Sequence, residues 1–249
     1  SGGLATSKPL SSSYVRTIAI VIESAINYAV KEGICKPLKT AIYKPPITKN
    51  NISILSEQDE ILITQKIINE PSLVGIGVLL ALQCGLRIGE VCALRWEDID
   101  FVKGLIHISH TISRVPCHDN IHKTMLILDK PKTPSSVRNV PIPSALREIL
   151  MSFYQRKLSE FVISSVNGFV GTRTFDYQYR NLLKEYDFSV FNFHTLRHTY
   201  ATRCASAGMD AKMLSQLLGH SSSNISLNIY VHPSIELAIK LIDDIYASA

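Results

Sequence analysis

Apolar residues recur along this chain at two periods, and the changes of period divide it. Val15, Ile18, Ile22, Ile26 and Ala29 or Val30 repeat at helical spacing, with Ser11 to Ser13 able to cap the start and Gly33 the end. One such helix cannot bury its own stripe, so it needs neighbours. Residues 34–52 break the pattern with Pro37, Pro45, Pro46, four lysines, Asn50 and Asn51, and read as a linker. Beyond it, Ser56-Glu57-Gln58-Asp59 has the form of a helix start, and Pro71 opens a further helix. Leu73 to Leu82 is apolar nearly all round, which predicts a helix central to the core, ended by Gly85.

Period two takes over at Leu105, Ile106, Ile108 and Ile112, predicting one strand over 105–113. Met125 to Leu128 predicts a second strand. Val137 to Ile142 predicts a third, whose prolines place it at a sheet edge. Residues 129–138 read as the turn of a hairpin between the last two. Helical spacing returns over Ser144 to Glu160, with Leu146, Ile149, Leu150 and Phe153 inward. After a turn at Asn167-Gly168 it returns again over Thr174 to Tyr186, with Phe175, Tyr179, Leu182 and Leu183 inward. Leu196, Tyr200 and Cys204 mark another helix, with Gly208 just past its end. Asp210 caps the next and Gly219 ends it, leaving His220 on an exposed turn. Ser221 to Ser223 offer one more N-cap, and Tyr230 falls about two turns later. Pro233 starts a last helix, with Ile235, Ala238, Leu241 or Ile242, and Ile245 on one side. It folds back on its own core or docks on a neighbouring copy. The fold class is α+β, mainly helical with a small antiparallel sheet. A helical fragment at 1–45 and a linker to about 52 precede a larger domain over 53–249, whose closing helix starts near 233.

Composition narrows the setting. The longest apolar run, Leu73 to Leu82, is too short to span a bilayer. No signal peptide is visible, and Ser1-Gly2-Gly3 reads as an expression scar or a loop. Five cysteines, an odd count with no C-x-x-C, argue for a reducing cytoplasm rather than a disulfide framework. The net charge of +5 lies wholly in the first fifty residues, where seven Lys/Arg meet only Glu23 and Glu32. That front end suits a polyanion, with Lys36, Lys39, Lys44 and Lys49 as candidate DNA contacts; a solvated basic linker is the alternative. Arg138, in the predicted hairpin turn, is a further candidate. His107, His110, Cys117, His118 and His122 cluster in sequence. Their spacing fits no zinc pattern, and strand alternation puts His107 and His110 on opposite faces, so no metal is expected.

Several polar groups suit phosphate chemistry. Arg87 stands just past a buried helix, with Glu90 three residues on to hold it; a structural Arg–Glu pair is the plain alternative. Lys132 stands in the turn before the third strand. His194 and Arg197 are three apart on a predicted helix, hence on one face. His220 and Tyr230 follow. Together, Gly85-Leu86-Arg87-Ile88-Gly89-Glu90, Lys132, His194-x-x-Arg197-His198, Leu218-Gly219-His220 and Tyr230 resemble the tyrosine recombinases, the phage-integrase family. The ten-residue step from His220 to Tyr230 is similar to integrases of conjugative transposons. The resemblance covers about residues 53–249, a catalytic domain, while 1–45 resembles only the tail of the family's helical core-binding domain.

The resemblance implies a site-specific recombinase acting on double-stranded DNA as a homo-tetramer, for integration and excision of a mobile element. It implies that Tyr230 becomes joined to a 3′-phosphate, with Arg87 and Arg197 on the non-bridging oxygens. Lys132 is then the general acid, His194 a base or hydrogen-bonding partner, His220 a phosphate donor, and Glu90 an orienting group. It implies no cofactor, since arginines stabilise the charge and the phosphotyrosine keeps the bond energy. Two alternatives stand beside it: a type IB topoisomerase-like nicking-closing enzyme, and a DNA-binding protein without strand exchange.

Overall fold

The computed structural model describes residues 10–46, 53–117, 124–130, 136–165, 168–219 and 235–246. Its contacts divide the chain into Ser1–Asn51 and Ile52–Ala249.

In the first unit, helix α1 (Ser12–Lys31) starts where Ser11 Oγ accepts from Tyr14 N (3.2 Å). It ends where Gly33 turns to φ 72° and Ile34 N reaches Ala29 O (2.8 Å), the αL ending that glycine permits. Ala19 is buried on this helix, while Val15 and Ile26 are half-buried. Ile18 and Ile22, expected inward, are exposed, as are Tyr14, Val21 and Tyr28. Within this unit the helix meets the segment after Gly33, where Arg16 Nη1 donates to Pro45 O (3.0 Å) and Lys44 pairs with Glu23.

The second unit is built around α3 (Leu73–Cys84), buried on every side from Gly75 to Cys84. It packs on α2 (Glu57–Asn69), α4 (Ile88–Ala93), α6 (Thr172–Glu185) and α7 (Phe193–Ser206). Ser56 caps α2 through Asp59 N (3.0 Å). At α3 the cap is Ser72, bonded to Gly75 N (3.0 Å), so Pro71 stands one residue outside the helix rather than opening it. Phe175 and Tyr179 of α6 meet Phe193 of α7 edge to face, joining the two helices through an aromatic layer. A second cluster joins Tyr200 and Cys204 of α7, Met213, Leu217 and Leu218 of α8 (Ala211–Leu218), and Ala238, Ile242 and Tyr246 of α9 (Ile235–Tyr246). Tyr246 Oη donates to Leu82 O (2.9 Å), and Asp243 Oδ1 accepts from Ser144 N (2.8 Å). The closing helix therefore lies on its own core, one of the two arrangements its stripe allowed.

Antiparallel strands lie beside these helices. β1 (Ile99–Asp100), β2 (Leu105–Ile108) and β5 (Arg138–Pro141) form one sheet in the order β1-β2-β5, which puts the proline-flanked β5 at an edge. β3 (Thr111–Pro116) pairs with β4 (Thr124–Asp129), and β6 (Ser164–Ser165) with β7 (Gly168–Phe169). The stretch 105–113 is thus two strands, not one, because the chain leaves one sheet after Ile108 and enters another at Thr111. The hairpin expected across 129–138 does not form either: β4 pairs with β3, and β5 with β2. Helix α5 (Ser144–Tyr154) stops well before Glu160. There the backbone turns to bond Leu94 to Trp96, through Trp96 N to Glu160 O and Val162 N to Leu94 O (both 2.9 Å).

Candidate active site

Three arginines from three parts of the second unit converge on one helix end, and two of them hold one carboxylate. The first part is the break after α3. Gly85 ends that helix at φ 67°, and a Cβ there would lie 2.6 Å from the Tyr200 ring, so glycine is required twice over. The turned backbone presents Gly85 O to Arg197 Nη1. Arg87 then stands at the N-cap of α4. Its backbone N donates to Glu90 Oε2 and its Nη1 to Glu90 Oε1, both at 2.8 Å. Glu90, three residues into the helix, thereby satisfies an unpaired donor of the first turn and braces the side chain that precedes it.

The second part is β5. Arg138 Nη1 and Nη2 donate to Glu90 Oε1 and Oε2 (2.9 Å each), the forked geometry that guanidinium and carboxylate share. The third part is α7, which supplies Arg197. The three guanidiniums then reach the end of α8: Arg138 Nε donates to Leu217 O, Arg197 Nη2 to Leu218 O, and Arg87 Nη2 to Gly219 O. These are carbonyls that a helix leaves without internal partners, at the negative end of its dipole.

Two charges of the cluster are displaced in pKa. Burial alone would raise Glu90, but the Arg138 bonds, and then those of Arg87, hold it below its ordinary value of 4.5. Burial, and after it the charge of Arg87, press Arg197 down to about 9 against the pull of Glu90, which leaves it cationic at neutral pH. Three cations facing one anion leave two positive charges in excess. Arg138 and Arg197 are buried, whereas the Arg87 side chain is 35% exposed, the most open of the three. Breaking a buried pair such as Glu90–Arg138 costs about 3–5 kcal/mol, because the remaining charge loses its partner.

His194 precedes Arg197 by about one turn. Asn192 caps α7 by accepting from His194 N (2.9 Å), which puts the imidazole at the positive end of that helix. The ring is exposed and meets His198 edge to face, centroids 4.5 Å apart.

Of the residues expected in the site, the structure brings Arg87, Glu90 and Arg197 together, with His194 on the same helix as Arg197. Lys132, His220 and Tyr230 lie outside the described residues, as do Lys49, His118, His122, Asn167 and Ser221 to Ser223. Gly219, whose carbonyl is held by Arg87, immediately precedes His220 in sequence. Lys36 and Lys39 are exposed, and Lys44 is engaged with Glu23. Arg138 needs correcting as a DNA contact on a turn. It is a strand residue opposite Ile108, 9% exposed, with its donors spent on Glu90, Leu217 and Ser136. The alternation of β5 carried the signal, since Arg138 is two residues from the buried Val140 and shares its face. His107 bonds Asn139 (2.9 Å), and His110 follows the end of β2 rather than lying in it. Among the described residues, no three His, Cys, Asp or Glu side chains converge as a metal site.

Residues 48–236 match the phage integrase family. The chain belongs to that family. As an integrase-family member it is 34% identical, over 89% of its length, to the "Tyrosine recombinase XerC-like" of Caldanaerobacter subterraneus subsp. tengcongensis, of which the match covers 63%. It is 29% identical over 65% of its length to the "Transposase from transposon Tn916" of Enterococcus faecalis, covering 43% of that protein. The chain therefore spans between 43% and 63% of these relatives. Its fold matches the Tn1549 transposon integrase in complex with a circular intermediate DNA, with a TM-score of 0.73 at 21% identity, over 94% of this chain and 80% of that one. It also matches a lambda integrase tetramer bound to a Holliday junction, with a TM-score of 0.58 at 19% identity, over 86% and 58%. In this chain the arginine–glutamate cluster lies where α3, α4, β5, α7 and α8 meet.

Two outcomes follow from the local geometry. Gly89 lies so near β3 that a Cβ would stand 2.5 Å from Thr111 Oγ1 and 2.8 Å from Ile112 O. Gly89→Ala is therefore expected to cost about 1–3 kcal/mol, seen as a fall in Tm of several degrees. An unchanged Tm would mean that α4 and β3 separate freely. Glu90 also gives stability a dependence on acid. Its folded pKa lies below 4.5, so between the folded and unfolded values the unfolded chain binds more protons. The Glu90 contribution is full above pH 4.5 and is lost as pH falls through the folded value. Urea unfolding should show the gap between the parent and Glu90→Gln narrowing below pH 4.5. A gap independent of pH would contradict the ionised carboxylate.

Proposed function

We propose that this chain is the catalytic part of a site-specific DNA recombinase that moves a mobile element. The observation that carries the reading is the excess of two positive charges where Arg87, Arg138 and Arg197 gather about Glu90. A phosphodiester under attack builds charge on its two non-bridging oxygens, and forked, permanently charged donors suit them. Arg87 and Arg197 take that role, and Glu90 keeps Arg87 in place.

Tyr230 Oη attacks the phosphorus and gives its proton to His194 or to a base that His194 orients. The bond to the 5′-oxygen breaks, and Lys132 protonates that oxygen as it leaves. His220 donates to a phosphate oxygen. One phosphodiester is exchanged for a phosphotyrosine and a free 5′-hydroxyl. Reversal with another strand's 5′-hydroxyl rejoins the DNA without a nucleotide. The partner is double-stranded DNA. The assembly is a homo-tetramer on DNA, a reading supported by the lambda integrase tetramer bound to a Holliday junction, and the compartment is the bacterial cytoplasm.

Trapping tests the reading. Negatively supercoiled plasmid is incubated with the chain and quenched with SDS, and the nicked product is examined for protein on its 3′ end and a free 5′-hydroxyl. Adduct of that polarity is expected. Absence of adduct, or linkage to the 5′ end, would overturn it. Relaxation of single plasmids with no recombinant product between two sites would favour a nicking-closing enzyme.

A further inference from the structure

We propose that Arg138 is a positioning residue for strand cleavage, acting through Glu90 and the end of α8; the proposal rests on the reading above. The Arg138 side chain is 6% exposed, and four of its five N–H donors are spent on Glu90, Leu217 O and Ser136 O. Its fork holds both oxygens of Glu90, and its Nε holds Leu217 O. Arg87 is in turn held at two points, by Glu90 and by Gly219 O. Both points lead back to Arg138, one through the carboxylate and the other through the last residues of α8. Arg138 is itself fixed by the pairing of β5 with β2. One buried guanidinium thus sets where the exposed arginine points and where the last carbonyls of α8 lie. Lysine supplies the charge but neither the fork nor the Nε arm.

Arg138→Lys, Arg138→Gln and the double variant Glu90→Gln with Arg138→Gln test this. The double variant removes both charges of the buried Glu90–Arg138 pair while leaving side chains that can hydrogen-bond each other, so it keeps the question open should a single variant fail to fold. With saturating protein on supercoiled plasmid, folded variants should form SDS-trapped adduct about 100-fold more slowly than the parent while plasmid affinity changes by less than about threefold, since a displacement near 1 Å costs that much in rate. A parental rate in Arg138→Lys would overturn the proposal by showing that charge suffices. A parental rate in the folded double variant would overturn it by showing a role in stability alone. If the parent itself forms no adduct, the recombinase reading fails, and a crystal structure of Arg138→Lys decides the positioning claim separately. Displacement of the Arg87 guanidinium supports it, and an unmoved Arg87 sinks it.

Discussion

Tyr230→Phe is expected to give no covalent protein–DNA adduct while still binding plasmid. Phenylalanine keeps the ring and loses only the oxygen that would form the new bond to phosphorus. A neutral phenol is a weak nucleophile, with a pKa near 10, so it needs both a base and a cationic site to react near neutral pH. The arginine cluster supplies the cationic site. Tyr230 follows Gly219, whose carbonyl is fixed on Arg87, by eleven residues. Denaturing gels of SDS-quenched reactions check the outcome. Adduct at the parental level in the Phe variant would assign the nucleophile to another residue.

Arg197→Lys carries the second large effect, a loss of about 10²–10³-fold in the rate of adduct formation with charge formally conserved. Arg197 bonds Gly85 O with one arm and Leu218 O with the other, tying the end of α3 to the end of α8 across a buried position. A lysine there brings a single ammonium in place of a planar fork, and cannot span both carbonyls while facing a phosphate. Its pKa would also suffer from the burial and the neighbouring Arg87 that already lower that of Arg197. Single-turnover cleavage of the plasmid measures the loss, and equal rates would show that a point charge suffices.

Much of this was legible because helices announce themselves through spacing and caps. Ser11, Ser56 and Asp210 cap where the sequence placed them, and Gly33, Gly85, Gly208 and Gly219 all adopt positive φ at helix ends. The pairing of Arg87 with Glu90 was readable from a spacing of three. Strand partners were not: alternation in 105–113 says which faces are apolar but not that Ile108 and Thr111 belong to different sheets. The place of Arg138 was misjudged for the same reason. A cation next to prolines and serines looks like a turn residue until the pairing of β5 with β2 turns it inward. The stripe on α1 holds at Val15, Ile26, Ala29 and Val30 but not at Ile18 and Ile22, since the helix is apolar on several sides and Ala19 is the residue buried.

The end of α8 has a wider consequence. Backbone oxygens are dipoles rather than ions, so they hold guanidinium groups in register without neutralising them. A helix terminus used in this way is a placeholder of low charge. It lets the protein reach its native shape with the cations already aimed, and leaves the two charges that Glu90 does not offset available to a polyanion.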